Sequence, residues 1–352
     1  MISWRALSGH LVTLGVASAV ALVVWTRKDP EATGQKANVE VWGGSADSVE
    51  KISFDAEGRS VRLERHKDGQ GLWYVGQVDK TVDVKPPSPH ADSGVSDAAS
   101  SPAGDAAAPA GEKKRESTRF VSVEQGKKLA ESLAPLLALR RLGKLDEARA
   151  AEFGFDKSEG TLKVTLAGRE RALTFGGTTP GGGDRYVKDD SGELFAIGGN
   201  VAQSVLFAES RLVERNLHGY EADELKSAKI ERGTLSREVV RLEDKKDGWA
   251  DAATPLVLDE TAGNWMSKLE RLRIVTFVET PAGLGPDSSI VNVELRGKGG
   301  RKLGFLELYK VPGEAAKPKF LVKTEHTRWY AEVIGSVAEQ VEQDLGSVVK
   351  AP

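Results

Sequence analysis

The sequence predicts an α+β protein: an N-terminal transmembrane helix followed by two tandem repeats of antiparallel sheet plus helices. Three observations lead to this fold class. One long apolar stretch lies near the N-terminus, short segments of alternating apolar and polar residues are joined by turn residues, and one order of strand and helix patterns occurs twice along the 352 residues. Strands joined by hairpins pair antiparallel, so a doubly wound parallel sheet is excluded.

Residues 1–28 are predicted to be a membrane anchor. The apolar stretch Leu7–Trp25 would span roughly 28 Å as a helix, close to the hydrocarbon thickness of a bilayer. Trp4 and Trp25 lie where interfacial aromatic residues belong. A cleaved signal peptide is the alternative, but this stretch is longer than the usual apolar region of such a peptide, and no A-x-A-like cleavage site follows it. We therefore expect an uncleaved anchor.

The expected location is the inner (cytoplasmic) membrane, crossed once, with the body of the chain in the periplasm. Basic residues lie on both sides of the span, with Arg5 before it and Arg27 and Lys28 after it, so the positive-inside rule does not decide the orientation. A short head before one span, followed by a large polar domain, favours an N-terminus inside the cell. The absence of cysteine is compatible with a periplasmic body.

Two segments have the composition of linkers. Residues 29–38 form a polar tether after the anchor. Residues 85–112 are almost wholly Pro, Ala, Ser, Gly and Asp, a composition that cannot bury enough apolar surface to offset its ordering entropy. We expect 85–112 to be a disordered insertion in a surface loop, which costs little stability. A partner-docking arm is the alternative interpretation.

The predicted repeats cover residues 39–217 and 219–349. Each begins with a hairpin around an Asp-Gly turn, since Asp-Gly favours the positive φ that tight hairpins need. The matching hairpin segments are Val61–Arg65 with Leu72–Tyr74, and Val239–Glu243 with Asp247–Trp249. A helix follows in each repeat: Ser122–Leu139, with a capping box at Ser122–Gln125 and a kink at Pro135, and Asp259–Leu272, capped by Asp259.

The second half of each repeat matches more closely. The alternating strands that correspond are Leu162–Leu166 with Val291–Leu295, Leu173–Phe175 with Leu303–Phe305, Tyr186–Lys188 with Leu321–Lys323, and Leu194–Phe195 with Trp329–Tyr330. A last helix closes each repeat, Val201–Leu212 in the first and Val337–Leu345 in the second. Each helix is expected to cover the apolar face of its sheet, so the two repeats should superpose once the insertion is removed.

Composition excludes several classes of function. The net charge is -3 and the pI is about 6.1, whereas a nucleic-acid-binding domain normally carries a basic excess. The chain has no cysteine, which rules out thiol catalysis, thiolate metal sites and disulfides. The five histidines form no pair at the spacing of metal ligands, and no cofactor is predicted.

Several polar motifs were candidates for a site, and each has an ordinary structural interpretation. Gly181–Asp184 lacks the Lys and the following helix of a phosphate-binding loop, so a hairpin loop is predicted. Gly297–Lys302 could contact anionic lipid or polymer, but its position between strands indicates a solvated turn. The carboxylate pairs Asp189–Asp190 and Asp244–Asp247 lie in predicted turns rather than on the rigid walls that glycosidase chemistry needs.

Histidine and tryptophan were the remaining candidates. His66 and His326 each flank a turn without a second metal ligand nearby in the sequence. The tryptophans Trp73, Trp249, Trp265 and Trp329 are predicted to be core anchors, with a glycan-stacking surface as the alternative. The sequence thus predicts no catalytic, cofactor-binding or metal-binding residue, and no enzyme.

The chain resembles the domain-of-unknown-function 4340 family. The segments that carry the resemblance are the single N-terminal span, Trp73–Tyr74, the helix from Ser122, Phe153–Phe155, Arg185–Val187 and Leu194–Ile197. The long insertion and Gly283–Leu284, which stands in the second repeat where the first has Gly154–Phe155, depart from simpler members. The resemblance implies an auxiliary, membrane-anchored protein of the kind found beside gliding-motility or ABC-2-type ABC transporters, with no catalytic residues defined.

The expected function is a non-enzymatic, membrane-anchored extracytoplasmic subunit. It would be an auxiliary or assembly component of an ABC-type transporter or of a motility-related envelope complex. The alternative is a module that binds a cell-envelope polymer such as glycan or peptidoglycan. The expected partners are the membrane, through Leu7–Trp25, and membrane proteins, with an envelope polymer as the alternative and no nucleic acid. Outward-facing tryptophans in a groove would favour the polymer, whereas an exposed apolar patch would favour a protein partner.

Overall fold

The computed structural model describes residues 38–83, 113–243, 245, 248–313 and 317–350. The predicted anchor (1–28), the tether before residue 38, the insertion 85–112 and the pair Asp244 and Asp247 lie outside these ranges. Across the described ranges, no helix combines the length and the apolar character needed to cross a bilayer.

Ten antiparallel strands form the first sheet. They are β1 (Val39–Trp42), β2 (Val49–Ala56), β3 (Arg59–Asp68), β4 (Gly71–Asp83), β5 (Lys113–Ser122), β6 (Leu136–Lys144), β7 (Gly160–Leu166), β8 (Arg169–Thr178), β9 (Arg185–Asp189) and β10 (Glu193–Ile197). Their order across the sheet is β1-β6-β10-β9-β8-β7-β2-β3-β4-β5.

Eight antiparallel strands form the second sheet. They are β11 (Ser227–Arg232), β12 (Leu235–Arg241), β13 (Trp249–Asp251), β14 (Ile274–Val278), β15 (Ser289–Arg296), β16 (Lys302–Val311), β17 (Lys319–Thr324) and β18 (Tyr330–Val333). Their order is β13-β12-β11-β15-β16-β17-β18-β14.

The described helices are α1 (Glu124–Leu133), α2 (Gly199–Leu206), α3 (Ala208–Arg211), α4 (Glu260–Glu270) and α5 (Gly335–Val348). Short 3₁₀ turns connect several strands. The architecture is therefore α+β with two antiparallel sheets, as the sequence predicts at this level.

The two sheets have the same strand order. In the first sheet it is β6-β10-β9-β8-β7-β2-β3-β4, and in the second β14-β18-β17-β16-β15-β11-β12-β13, strand for strand in chain order. Helix α1 precedes β6 as α4 precedes β14, and α2 follows β10 as α5 follows β18. The first sheet carries one additional strand at each edge, β1 and β5.

Alternation along the strands creates the core. In β7, Leu162, Val164 and Leu166 are buried, and the residues between them are more exposed. Because successive side chains point to opposite faces, each sheet presents one continuous apolar face. Helix α1 buries Leu129 and Leu133 within this core, while α4 buries Trp265 and Met266. Both helices therefore pack their apolar side chains inward.

The helix predicted over Ser122–Leu139 is wrong beyond Leu133. Pro135 has no backbone N–H and disfavours helical geometry at the residue before it, so the helix ends there instead of kinking. The leucines that follow belong to β6, which pairs with β10 and β1. Because an apolar run of this length fits a helix or a strand equally, its periodicity could not distinguish the two.

The other helix boundaries differ less from the predictions. The cap at Asp259 is confirmed, since its Oδ1 accepts a hydrogen bond from the Ala262 amide at 2.9 Å, although α4 ends at Glu270. The helix predicted over Val201–Leu212 is divided into α2 and α3 at Phe207. Trp329 lies directly before β18 rather than within it.

The segment Phe153–Phe155 has a packing role. Gly154 joins two 3₁₀ turns with a φ of +75°, and a Cβ added there would lie 2.6 Å from the Gly177 amide nitrogen of β8. Only glycine fits both this conformation and this approach. The Phe153 ring meets the Tyr186 ring edge-on, with centroids 5.0 Å apart. This part of the resemblance thus reflects close packing against the sheet.

Candidate functional site at the junction between the sheets

The most distinctive cluster of charged and aromatic residues lies where the two sheets meet. We call this region the junction; it comprises residues 214–221, the turn 324–329 between β17 and β18, and the hairpin tip 68–70 between β3 and β4. Strands β5 and β14, an edge strand from each sheet, are in contact beside it.

Glu214 is the most buried carboxylate of the junction, with 2 % of its surface exposed. Its Oε1 accepts hydrogen bonds from the amides of Arg215 (3.0 Å) and Asn216 (3.1 Å), and its Oε2 accepts one from the Glu124 amide (3.2 Å). His326 Nε2 lies 3.4 Å from Oε2. A carboxylate from the connecting segment therefore links the start of α1 to the second sheet.

The prediction of a capping box at Ser122–Gln125 is wrong, because Glu214 takes the place of the predicted cap. Ser122 is fully buried and its hydroxyl makes no hydrogen bond, while Val123 occupies the cap position without a side-chain bond. Glu214 satisfies the first free amide of α1 instead. A negative charge at that end is also favoured by the helix dipole.

The surroundings of Glu214 stabilise its charged form. Burial alone would raise the pKa of this carboxyl, but the contact with His326 and the amides of Asn216 and Glu124 outweigh burial and lower the pKa to about 2. Carboxylates that accept two or three backbone hydrogen bonds commonly have such depressed pKa values. The charge on Glu214 is therefore retained through the mildly acidic range.

We expect acid to weaken the protein through this residue. Since the folded pKa of about 2 lies below the ordinary value of 4.5, ionised Glu214 contributes its full stability above pH 4.5 and loses it as the pH falls toward 2. The shift corresponds to about 3 kcal/mol. Unfolding free energies of wild type and Glu214→Gln, measured between pH 2 and 6, should converge as the pH falls; a constant difference would contradict the prediction.

A second histidine–glutamate pair lies beside the first. His218 Nδ1 is 3.0 Å from Glu325 Oε1, and Glu325 Oε2 accepts a hydrogen bond from the Phe305 amide at 3.0 Å. The buried Thr324 hydroxyl donates to the Leu217 carbonyl oxygen. Three consecutive residues of the 324–329 turn, Thr324, Glu325 and His326, thus contact the connecting segment directly.

Arg328 connects the turn to the first sheet. Its φ is +59°, a left-handed conformation that non-glycine residues adopt only when their surroundings hold them there. The guanidinium lies against Asp68, with Nε 2.8 Å from Oδ2, and also contacts Gln70. We interpret this strained residue as part of the attachment between the second sheet and the hairpin tip of the first.

Aromatic contacts complete the junction. Trp73 of β4 meets Trp329 edge-on with centroids 6.4 Å apart, and His66 stacks on Trp73 at 4.8 Å. The Arg119 guanidinium lies 5.0 Å from the centre of the Trp329 ring and forms an ion pair with Glu279. These half-buried tryptophans lie at the contact between the sheets, which the sequence did not indicate.

The other two candidate tryptophans are core residues, as predicted. Trp249 and Trp265 are almost completely buried, and Trp265 Nε1 donates to the Val341 carbonyl oxygen at 2.9 Å. This bond joins α4 to α5.

Two open cavities adjoin the junction. One of about 660 Å³ lies between α1, the connecting segment and α4, and the other, of about 610 Å³, shares Glu124, Gly219 and Tyr220 with it. Burial, with Glu325 and Glu270 nearby, raises the pKa of Tyr220, so its phenol stays neutral. The walls mix cations such as Lys128 with anions such as Glu221. They therefore present no field of one sign that would select a charged ligand.

The remaining candidate motifs lie apart from the junction or at its margin. Gly181–Asp184 forms the loop between β8 and β9, and Gly297–Lys302 the turn between β15 and β16. Asp189 caps its own turn, since Oδ1 accepts hydrogen bonds from the amides of Ser191 and Glu193, each at 2.9 Å, and neighbouring Asp190 is exposed. The structure therefore does not bring these motifs together into one site.

The junction combines residues that the sequence did not mark as a group. His326 was considered as a metal ligand, but within the described ranges no three potential ligand side chains lie together. Glu214 and Arg328 carried no local signal, because their partners are distant in the chain. Chemically, the arrangement offers paired charges and stacked rings that hold two sheets together.

A two-sheet α+β protein with a charged, aromatic junction is the class that this fold and site define. Residues 121–288, a little under half of the chain, match the family described as Domain of unknown function (DUF4340). The predicted resemblance to this family is thereby confirmed for the matched residues. The match runs from the end of β5 through the junction segment to the start of β15. Comparison with curated proteins and with solved structures gave no match.

Proposed function

We propose that the chain is a non-enzymatic, membrane-anchored extracytoplasmic subunit that assembles with a membrane-protein complex. The partner would be an ABC-type transporter or a motility-related envelope complex, and Leu7–Trp25 would supply the anchor in the inner membrane. The main support is the placement of apolar side chains. The described tryptophan rings lie in the core or the junction, whereas several aliphatic side chains are exposed to solvent.

Polymer binding has less support. A glycan-binding surface presents aromatic faces to solvent, but Trp249 and Trp265 are buried, and Trp73 and Trp329 pack on each other. Among the described aromatic residues, Phe207 is well exposed, and a single ring does not make a strip. A protein partner is therefore the better interpretation.

A small apolar patch at the edge of the second sheet is our candidate for the contact with the partner. Val275 on β14 and Ile334 after β18 are both exposed. The Ile334 amide donates to the Arg273 carbonyl oxygen at 3.2 Å, which places the two segments side by side. Exposed apolar residues grouped at the edge of a sheet are typical of protein contacts.

The common strand order supports our proposal that 39–217 and 219–349 are two repeats of one unit. Two contacts would hold the repeats in one orientation: the buried pair of Glu214 with His326, and the ion pair of Arg328 with Asp68. Two repeats held in this way would present a fixed surface to a membrane complex.

Photo-crosslinking in cells tests this function. A photoreactive amino acid at Val275 or Ile334 of the full-length protein should give adducts with a transmembrane subunit of a transporter or motility complex, identified by mass spectrometry. The same amino acid at Ser236, an exposed residue on β12, is the control. Equal adducts at all three positions, or binding of purified protein to peptidoglycan with no protein adduct, would contradict the proposal.

A further inference from the structure

Among the described residues, one contact joins an edge strand of the first sheet to an edge strand of the second, and the far ends of the two sheets have no complete partner strand. Within the chain, β5 at one edge of the first sheet touches β14 at one edge of the second. Because the strand orders correspond, β13 is the counterpart of β4, and β6 is the counterpart of β14. Strand β13 is an edge strand of the second sheet, whereas β6 is bordered by β1. Strand β1 pairs with β6 only at Leu136–Ala138, so no described strand pairs with Leu139–Lys144 on that side, a stretch that we call the β6 edge.

In the second sheet, no long described strand pairs with the outer side of β13 as β5 pairs with β4 in the first sheet. In the first sheet, β5 pairs with β4 along ten residues. In the second sheet, Leu258 forms an isolated bridge with Ala250, and the loop 252–258 occupies the outer position. The outer side of β13 is thus paired through one bridge, whereas the corresponding side of β4 is paired along ten residues.

The 252–258 loop at this edge is strongly apolar. Leu256 is 92 % exposed and Val257 63 % exposed, with Leu258 also exposed beside them. Arg237 holds the base of the loop, with Nε 2.9 Å from Asp251 Oδ2 and a second bond to Asp259. A firmly held loop that presents three adjacent apolar side chains to water is unusual in a monomer.

The β6 edge is complementary to the 252–258 loop in both charge and apolar character. Leu137 and Leu142 are exposed on β6, and Arg140, Arg141 and Lys144 lie among them. One carboxylate, Glu193, is paired there with Arg141 at 2.7 Å. The base of the 252–258 loop has the opposite balance, since Asp251, Asp259 and Glu260 surround the single guanidinium of Arg237.

We infer that the 252–258 loop of one molecule docks on the β6 edge of a second copy of this chain. The contact would repeat between molecules the junction of β5 with β14 within the chain. Leucine side chains would pack on both sides and the acidic base would face the basic edge. Such a contact is heterologous, because it uses different surfaces on the two copies, so each bound molecule leaves another free end for addition.

The absence of cysteine makes the test direct. Full-length protein in detergent would be prepared as Val257→Cys and as Leu142→Cys, with different tags, and treated with a short bismaleimide. Head-to-tail docking predicts covalent heterodimers in the mixture and few dimers in either sample alone. Phe207→Cys, an exposed apolar position at neither end, mixed with Leu142→Cys is the control.

Charge reversal provides the second readout. Adding Arg140→Glu and Lys144→Glu to the Leu142→Cys protein should reduce the heterodimer yield about tenfold, because acidic residues would then face acidic residues. Equal dimer formation by Val257→Cys alone would overturn the inference in favour of a symmetric contact. A mixture yield no higher than that of the Phe207→Cys control would overturn it in favour of a different occupant. Neither result depends on a transporter partner, so this test is separate from that of the proposed function.

Discussion

Glu214→Gln should lower the free energy of unfolding by about 3–5 kcal/mol, the range for removing one partner of a buried charged pair. The side chain is 2 % exposed and accepts three backbone hydrogen bonds. Glutamine has nearly the same shape, but its amide group would turn a donor toward one set of backbone donors. It would also remove the negative charge that accepts the first amide of α1. Urea unfolding followed by tryptophan fluorescence measures the loss.

Glu221→Gln is the matched control for this variant. Glu221 lies in the same connecting segment and is exposed, so its substitution should change the unfolding free energy by less than about 0.5 kcal/mol. A double-mutant cycle with His326→Asn separates the contribution of the pair, since residues in contact are not additive. If Glu214→Gln were no more destabilising than Glu221→Gln, the central role of this carboxylate in the junction would be refuted.

The sequence predicted the strands well because their signal is local. Alternation in β7 and β15 and the turns between neighbouring strands place side chains inside or outside without reference to distant residues. Comparing two segments of one chain then gave the correspondence of strand order. The error at β6 has the same origin, because its leucines follow no clear alternation and Pro135 permits either a kink or an end.

The junction could not be predicted in this way. His326 is 112 residues from Glu214, and no spacing along the chain relates them. Arg328 adopts its left-handed conformation only because of contacts made in the folded state. The sequence identified Trp73 and Trp329 as apolar anchors, which is correct in kind. Their contact across the two sheets depends on how the sheets meet, and that is a tertiary property.

Trp249→Ala should be the most destabilising of the tryptophan variants, at about 3–5 kcal/mol, because its almost completely buried ring would leave a large cavity in the second core. The Arg241 guanidinium lies 5.9 Å from the ring centre and would lose that contact as well. Thermal unfolding of full-length protein, monitored by circular dichroism, measures the loss. Trp249→Phe should recover much of it if packing dominates.

Trp73→Ala provides the comparison, because Trp73 lies in the corresponding hairpin of the first sheet but is only half-buried at the junction. We expect it to cost about half as much as Trp249→Ala, since the cavity can be filled by solvent. Its effect should be greatest on hydrogen exchange in the 324–329 turn, which packs on it through Trp329. If Trp249→Ala were tolerated, the ring would not be a core anchor. If Trp73→Ala folded normally but no longer bound an envelope polymer, the ring would act by stacking on a ligand and not by joining the sheets. The polymer-binding alternative would then replace the assembly function.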